Sequence, residues 1–223
     1  MNIIALVPMK GHSERIPNKN MKIFAGSPLF HSIMKSLTGS KYIQKIVINT
    51  DSQVIAENAT QYFNKVEIVW RPESICGDFV SMNKIIEHDL QQYSNDFFLQ
   101  THSTNPLLTQ KTIDRAIFEF FASLETYDSL FSVNRLQTRL YWENAEPVNH
   151  NINVLERTQD LPPIFEENSN IYIFSKKSFL ASDSNRIGKS PKMFEMNKIE
   201  SIDIDEEQDF QLAETLYLQR TKS

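Results

Sequence analysis

Short apolar runs alternate with longer stretches of helical period along most of the chain, and nothing else in the sequence limits the fold as much. The runs NIIALVP (2–8), KIVINT (45–50), VEIVW (66–70), FFLQT (97–101), SLFSV (129–133) and NIYIF (170–174) are rich in Ile, Val and Phe and predict strands. Between them, PLFHSIMKSLTGS, SQVIAENATQYF, SMNKIIEHDLQQY and QKTIDRAIFEFFASL place apolar residues three and four apart, as amphipathic helices do. Strand then helix, repeated, predicts an α/β sheet whose strands are mostly parallel. From Asn134 to Asn168 the chain turns polar, aromatic and proline-bearing, with LPPIF at 161–165, which predicts an inserted arm (134–168) within a single domain spanning 1–223. After NIYIF, a short helix near SKKSFLAS, a strand over ESIDID and a closing helix over EEQDFQLAETLYLQR are expected.

Length and charge exclude several classes. A chain of 223 residues suffices for one well-buried domain. No run approaches the ~20 apolar residues of a membrane span. The N-terminus runs straight into IIALV without a charged n-region, so it reads as a first strand and not a signal peptide. The single cysteine, Cys76, has no intrachain partner and reads as a small buried residue; a reducing, cytoplasmic setting is expected. His31, His88 and His150 form no ligand spacing. With a net charge of −5, a broad nucleic-acid surface is disfavoured, and any anion must be met by a local cluster.

Such a cluster follows the first strand. VPMKGHSERIPNKN (7–20) brings Lys10, Arg15 and Lys19 together, with Lys22 just beyond, against the single carboxylate of Glu14. Ligands of open α/β sheets bind beyond the carboxyl ends of the strands, where this loop lies. One cation 4 Å from a phosphate oxygen contributes up to about 4 kcal/mol at an effective dielectric of 20, before desolvation. Several converging donors can therefore hold a polyphosphate. Ser13 and Asn20 add neutral donors, and Gly11 would let the backbone approach an anion closely. A solvated basic loop is the alternative. The loop is neither a Walker sequence nor a G-x-G-x-x-G turn.

The second constellation is ESIDID (200–205). Strand periodicity would project Asp203 and Asp205 to one face and Ile202 and Ile204 to the other. Two carboxylates at a strand end suit Mg²⁺, which takes oxygen ligands and keeps waters while bridging phosphates. Asp205 can also be read as the cap of the last helix, with Gln208 at N3, and Asp209 as a helix-start charge.

These residues resemble the cytidylyltransferases that activate nonulosonic acids, the N-acylneuraminate cytidylyltransferase family of CMP-sugar synthetases. P-M-K-G-H-S-E-R-I-P-N-K-N resembles the family's P-A-R-x-G-S-K-x-[IL]-P-x-K-N loop, with Lys10 where arginine is usual and Glu14 where lysine is common. GSPLF, INTDSQVIA, RPESICGD, HSTNPLL, RTQDLPPIFEENSNIYIF and RIGKSPKMFEMNKIESIDIDEEQDFQLAE are similar to further family motifs across most of the chain.

The resemblance implies a three-layer, nucleotide-diphospho-sugar transferase-like (Rossmann-like) fold with a small dimerisation arm. It implies transfer of the cytidylyl group of CTP to a 2-keto-3-deoxy sugar acid, releasing pyrophosphate, for surface glycan biosynthesis, with Mg²⁺ as cofactor. Lys10, Ser13, Arg15 and Lys19 are then expected on the triphosphate, and Asn20 and Arg71 on the nucleotide, with Asp78 a secondary candidate. His102 or Gln100 would read the base or orient the acceptor, and Asp203 and Asp205 would hold the metal. Lys10, Arg15, Lys19 and Asp203 are the catalytic candidates. Gln159, Asn168, Ser169 and Asn170 fall on the acceptor side, where the family's Gly-Ala has become Ser169-Asn170. A homodimer follows from the arm and its aromatics Tyr141, Trp142 and Phe165. Other readings are a cytidylyltransferase for 3-deoxy-octulosonate or a phosphonate, a glycosyltransferase, and a non-catalytic nucleotide-binding relative. A glycosyltransferase would carry its D-x-D in mid-chain.

Overall fold

The structure is a computed structural model and describes residues 2–221. Strands β1 (Ile3–Leu6), β4 (Ile43–Thr50), β5 (Val66–Trp70), β6 (Phe97–Gln100), β7 (Ser129–Leu136), β8 (Ile164–Ser175) and β9 (Pro191–Glu195) form one sheet in the order β5-β4-β1-β6-β8-β7-β9. β5, β4, β1 and β6 run parallel; β8 is antiparallel to both β6 and β7, and β9 is parallel to β7. A two-stranded ribbon, β2 (Ile23–Phe24) and β3 (Ser27–Pro28), turns through Ala25 and Gly26, both at positive φ.

Period two along each strand explains the three layers. Ile3, Ala5 and Val7 face one side with α1 (Phe30–Gly39), α2 (Gln53–Tyr62) and α4 (Gln110–Ala122). Ile4 and Leu6 face the other with α3 (Met82–Gln91) and α5 (Lys176–Ala181). Covered on both faces, these strands read as continuous apolar runs. Helix starts follow local chemistry: the Ser52 and Thr109 side chains accept the amides of Ile55 and Thr112, and Ser175 forms a capping box with Ser178. The last helix, α6 (Glu207–Thr221), packs Phe210 and Ala213 with Ile16, Phe24, Leu29, Leu107 and Ile204 in a separate apolar cluster.

Three expectations need correction. ESIDID is not a strand: residues 202–205 form no regular element and join no ladder, and the edge position beside β7 is taken by PKMFE as β9. Ile204 is fully buried as alternation requires, but Ile202 is only partly so. The arm is shorter than 134–168, because pairing of Asn134 with Glu166, Arg135 with Phe165 and Leu136 with Ile164 draws both ends into the sheet.

Candidate active site

The chain runs from β1 outward to β4 and β5, then returns to lay β6 on the other side of β1. Loops leaving β1 and β6 therefore diverge, and a crevice opens between them at the carboxyl edge. A cavity of about 320 Å³ lies there, and Lys10, Ser13, Arg15, Lys19, Asn20, Arg71 and His102 all line it. Each of these is a residue that the sequence marks as a candidate. Gln100 is fully buried and not part of the lining.

The loop after β1 is held from both sides. Met9 N–H donates to Asn49 O at 2.9 Å, which prolongs the sheet by one step. Gly11 N–H donates to Asp51 Oδ1 at 2.6 Å, and a Cβ at position 11 would come within 2.9 Å of Ser52 Cβ. The glycine is thus required by the turn after β4, and its amide is not free for an anion as the sequence suggested. Asn20 is also engaged at both ends: Nδ2 donates to Lys10 O at 3.0 Å and Oδ1 accepts from Ser103 Oγ at 2.6 Å. It ties the loop to the segment after β6. Ile16, buried in the α6 cluster, sets the depth of its neighbour Arg15.

Each loop cation meets an acceptor across the cleft. Lys10 pairs with Asp78, Arg15 Nη2 with Asp205 Oδ1 at 2.6 Å, and Lys22 with Glu207 at 2.5 Å. Lys19, largely buried, donates to Ile204 O at 2.6 Å and lies 3.9 Å from Asp205; burial lowers its pKa against the pull of Asp205 and Asp203. The pairs of Lys10 and Arg15 are solvent-exposed, and such pairs contribute little to stability, so an incoming polyanion displaces them at small cost.

The carboxylates are positioned by Ile204, whose N–H donates to Thr104 O at 3.0 Å. Burial raises the Asp203 pKa, opposed by a hydrogen bond from Thr104, and Asp203 Oδ1 is buried with no hydrogen-bond partner among the described residues. Asp209, in the first turn of α6, reaches back to the segment before the helix: its Oδ2 accepts the amides of Asp205 and Glu206 at 3.1 and 2.8 Å. That leaves the Asp205 carboxylate for Arg15. Among the described residues no group of three or more His, Cys, Asp or Glu forms a ready metal cage.

Residues the sequence did not reveal support the others. Asp89 Oδ1 on α3 accepts from Asn49 Nδ2 at 2.6 Å, which turns Asn49 Oδ1 toward Arg71 Nε at 2.7 Å, while Arg71 Nη2 donates to Asn49 O at 3.0 Å. Burial lowers the Arg71 pKa and pushes the Asp89 carboxyl up to about 6. Burial and the Arg186 cation push the His102 imidazole down to about 4.

The acceptor-side candidates lie outside this cavity. Asn168 Oδ1 accepts from Ser132 Oγ at 2.5 Å and its Nδ2 donates to Asn134 at 3.0 Å, at a bulge in β7. Asn170 is fully buried, with Nδ2 donating to Asn168 O and Ser201 O. Ser169 takes a left-handed φ of 57°, a conformation glycine adopts without steric cost. Gln159 is exposed on the arm, where its carbonyl accepts from Gln137.

Fold and cleft together define a class: a three-layer, nucleotide-diphospho-sugar transferase-like α/β protein with a cationic loop facing a carboxylate pair. The chain belongs to the cytidylyltransferase family, whose family model matches residues 4–222. It is 30% identical over 230 residues to a CMP-N,N'-diacetyllegionaminic acid synthase of Legionella pneumophila, covering 97% of this chain and 96% of that one. It is also 30% identical over 220 residues to N-acylneuraminate cytidylyltransferase A of Danio rerio, covering 96% of this chain but 50% of the relative. A pseudaminic acid cytidylyltransferase of Campylobacter jejuni is 24% identical, with 97% of each chain covered. The chain thus spans about half of the Danio protein and nearly all of the two bacterial ones. Among solved structures, a CMP:2-keto-3-deoxy-manno-octonic acid synthetase complexed with CTP superposes with a TM-score of 0.72 at 9% identity, covering 99% of this chain and 100% of that one. A 4-diphosphocytidyl-2C-methyl-D-erythritol synthase from Anaerococcus prevotii does so with a TM-score of 0.68 at 13% identity, covering 98% and 97%. Among the described residues no helix is long and apolar enough to cross a membrane.

Proposed function

We propose that the protein transfers the cytidylyl group of CTP to the anomeric hydroxyl of a nonulosonic, sialic-acid-like 2-keto-3-deoxy sugar acid, giving the CMP-sugar and pyrophosphate for surface glycan biosynthesis in the cytoplasm. The observation that carries this reading is the convergence of Lys10, Ser13, Arg15 and Lys19 on one cavity, with Asp205 2.6 Å from Arg15 and 3.9 Å from Lys19. Family membership and the names of the relatives support it. Phosphoryl transfer asks a protein mainly for positioning and charge neutralisation. Lys10 and Arg15 exchange their carboxylate partners for triphosphate oxygens; Lys19 stays fixed by Ile204 O; Arg71, aligned by Asn49, meets the nucleotide. Asn20 acts by holding the loop to Ser103.

Asp203 and Asp205 fit Mg²⁺. Both offer hard oxygen ligands, and the buried, unpartnered Asp203 Oδ1 is an atom that a cation would satisfy. When bound, the ion would neutralise charge developing on the phosphates. A homodimer completes the proposal, with the arm's exposed Tyr141, Trp142 and Leu155 buried against a second copy.

The test is pyrophosphate release with CTP and Mg²⁺ against neuraminic, legionaminic, pseudaminic and 3-deoxy-octulosonic acids, with ATP, GTP and UTP as controls. Release that needs CTP and a nonulosonic acid is expected, and Asp203→Asn should lower kcat by about a hundredfold or more. Release with 3-deoxy-octulosonate alone would move the acceptor to that acid. CTP binding without turnover on any acid would leave a nucleotide-binding relative in place of an enzyme.

A further inference from the structure

His102 lines the cavity within the electrostatic reach of Asp205 and Lys19, and its surroundings decide which ring nitrogen carries the proton. The chain of contacts begins at Arg186, in the segment between α5 and β9. Its guanidinium lies 3.6 Å from the centre of the Tyr172 ring, its backbone amide donates to Asn83 Oδ1 at 3.3 Å, and Nη1 donates to Gln100 Oε1 at 2.6 Å. Gln100 Nε2 donates to Thr101 O at 3.0 Å and lies 3.3 Å from His102 Nε2.

A guanidinium only donates and a carbonyl only accepts, so the orientation of the Gln100 amide follows from its two neighbours: Oε1 toward Arg186, Nε2 toward Thr101 and His102. The second hydrogen on Gln100 Nε2 then meets His102 Nε2, which must accept it. We propose that Arg186 is a positioning residue that fixes the tautomer of His102 through Gln100, so that the imidazole carries its proton on Nδ1 and serves the cavity as a hydrogen-bond donor. No described residue partners Nδ1, which leaves that N–H for an oxygen acceptor on a bound ligand. With Nε2 occupied by the amide and Nδ1 already protonated, His102 does not take the proton of an attacking hydroxyl. The donor role toward nucleotide or sugar rests on the proposed function; the tautomer does not.

The tautomer is read directly by ¹⁵N–¹H correlation of the imidazoles in the full chain, with His102 assigned among the five histidines by the loss of its signals in His102→Asn. The wild type should show Nδ1–H alone at neutral pH. Arg186→Met keeps an apolar stem over Tyr172 but frees Gln100 to turn, so both tautomers should appear; Arg186→Lys, which restores a donor, should return the ring to Nδ1–H. Gln100→Glu replaces the donor by an acceptor and should move the proton to Nε2. An Nε2–H ring in the wild type, or an unchanged Nδ1–H ring in either Arg186→Met or Gln100→Glu, would overturn the proposal. Because no turnover is needed, a protein inert toward CTP would sink the proposed function while this experiment still decides the role of Arg186.

Discussion

At the scale of single residues, the cleft is a set of charges held in check by neighbours. Asp78 occupies Lys10 at the cavity wall and adds a negative charge where a triphosphate is proposed to lie. Asp78→Asn should therefore lower the KM for CTP by a factor of a few with kcat nearly unchanged; a raised KM would show that Asp78 orders the loop instead. Asp89 tests the support beneath Arg71. It is 1% exposed, and burial raises its carboxyl pKa to about 6, against about 3.9 in an unfolded chain. Between those values the folded state holds the proton more tightly, so the group contributes stability at low pH that is lost as pH rises through about 6. Asp89→Asn keeps an oxygen for Asn49 and never ionises. Its stability relative to wild type should improve by on the order of 2–3 kcal/mol from about pH 4 to 7, measured by urea unfolding; parallel curves would remove the assigned ionisation.

At the scale of elements, the site depends on a small apolar cluster that joins the loop after β1 to the segment before α6. Ile204, fully buried between the two aspartates, packs with Ile16 and Phe210. Ile204→Ala should cost about 2–5 kcal/mol and also depress turnover, because Asp203, Asp205 and the carbonyl that holds Lys19 shift with it. A variant of wild-type turnover would detach the carboxylate segment from catalysis. The helices were legible in the sequence because three-and-four spacing is a local signal, and the inner strands because burial on both faces leaves uninterrupted apolar runs. ESIDID and PKMFE could not be ranked locally: either can extend, and only the free edge of β7 decides which one pairs. The same holds in the site. Charge and motif marked the loop, Arg71 and the aspartates, whereas the engagement of Gly11 by Asp51, of Asn49 by Asp89 and of Gln100 by Arg186 spans 40 to 86 positions and leaves no periodic trace.

At the scale of the whole molecule, the arm and the order of the chain matter most. Leu155 is 91% exposed on the arm, with Ile152 and Val154 exposed beside it. On a monomer, Leu155→Glu would change stability by no more than about 0.5 kcal/mol. In the proposed homodimer it should shift the sedimenting mass toward one subunit, and an unchanged mass would place the interface elsewhere. The pairing of Arg15 with Asp205 crosses 190 positions, so the two walls of the cleft come from distant parts of the chain. While the chain leaves the ribosome, the basic loop emerges long before residues 203–205 and stays without its opposing carboxylates until they follow. A growing chain can thus pair its inner strands early, yet it acquires a complete cleft only when residues 203–205 dock, so competence for chemistry waits on that late, long-range contact.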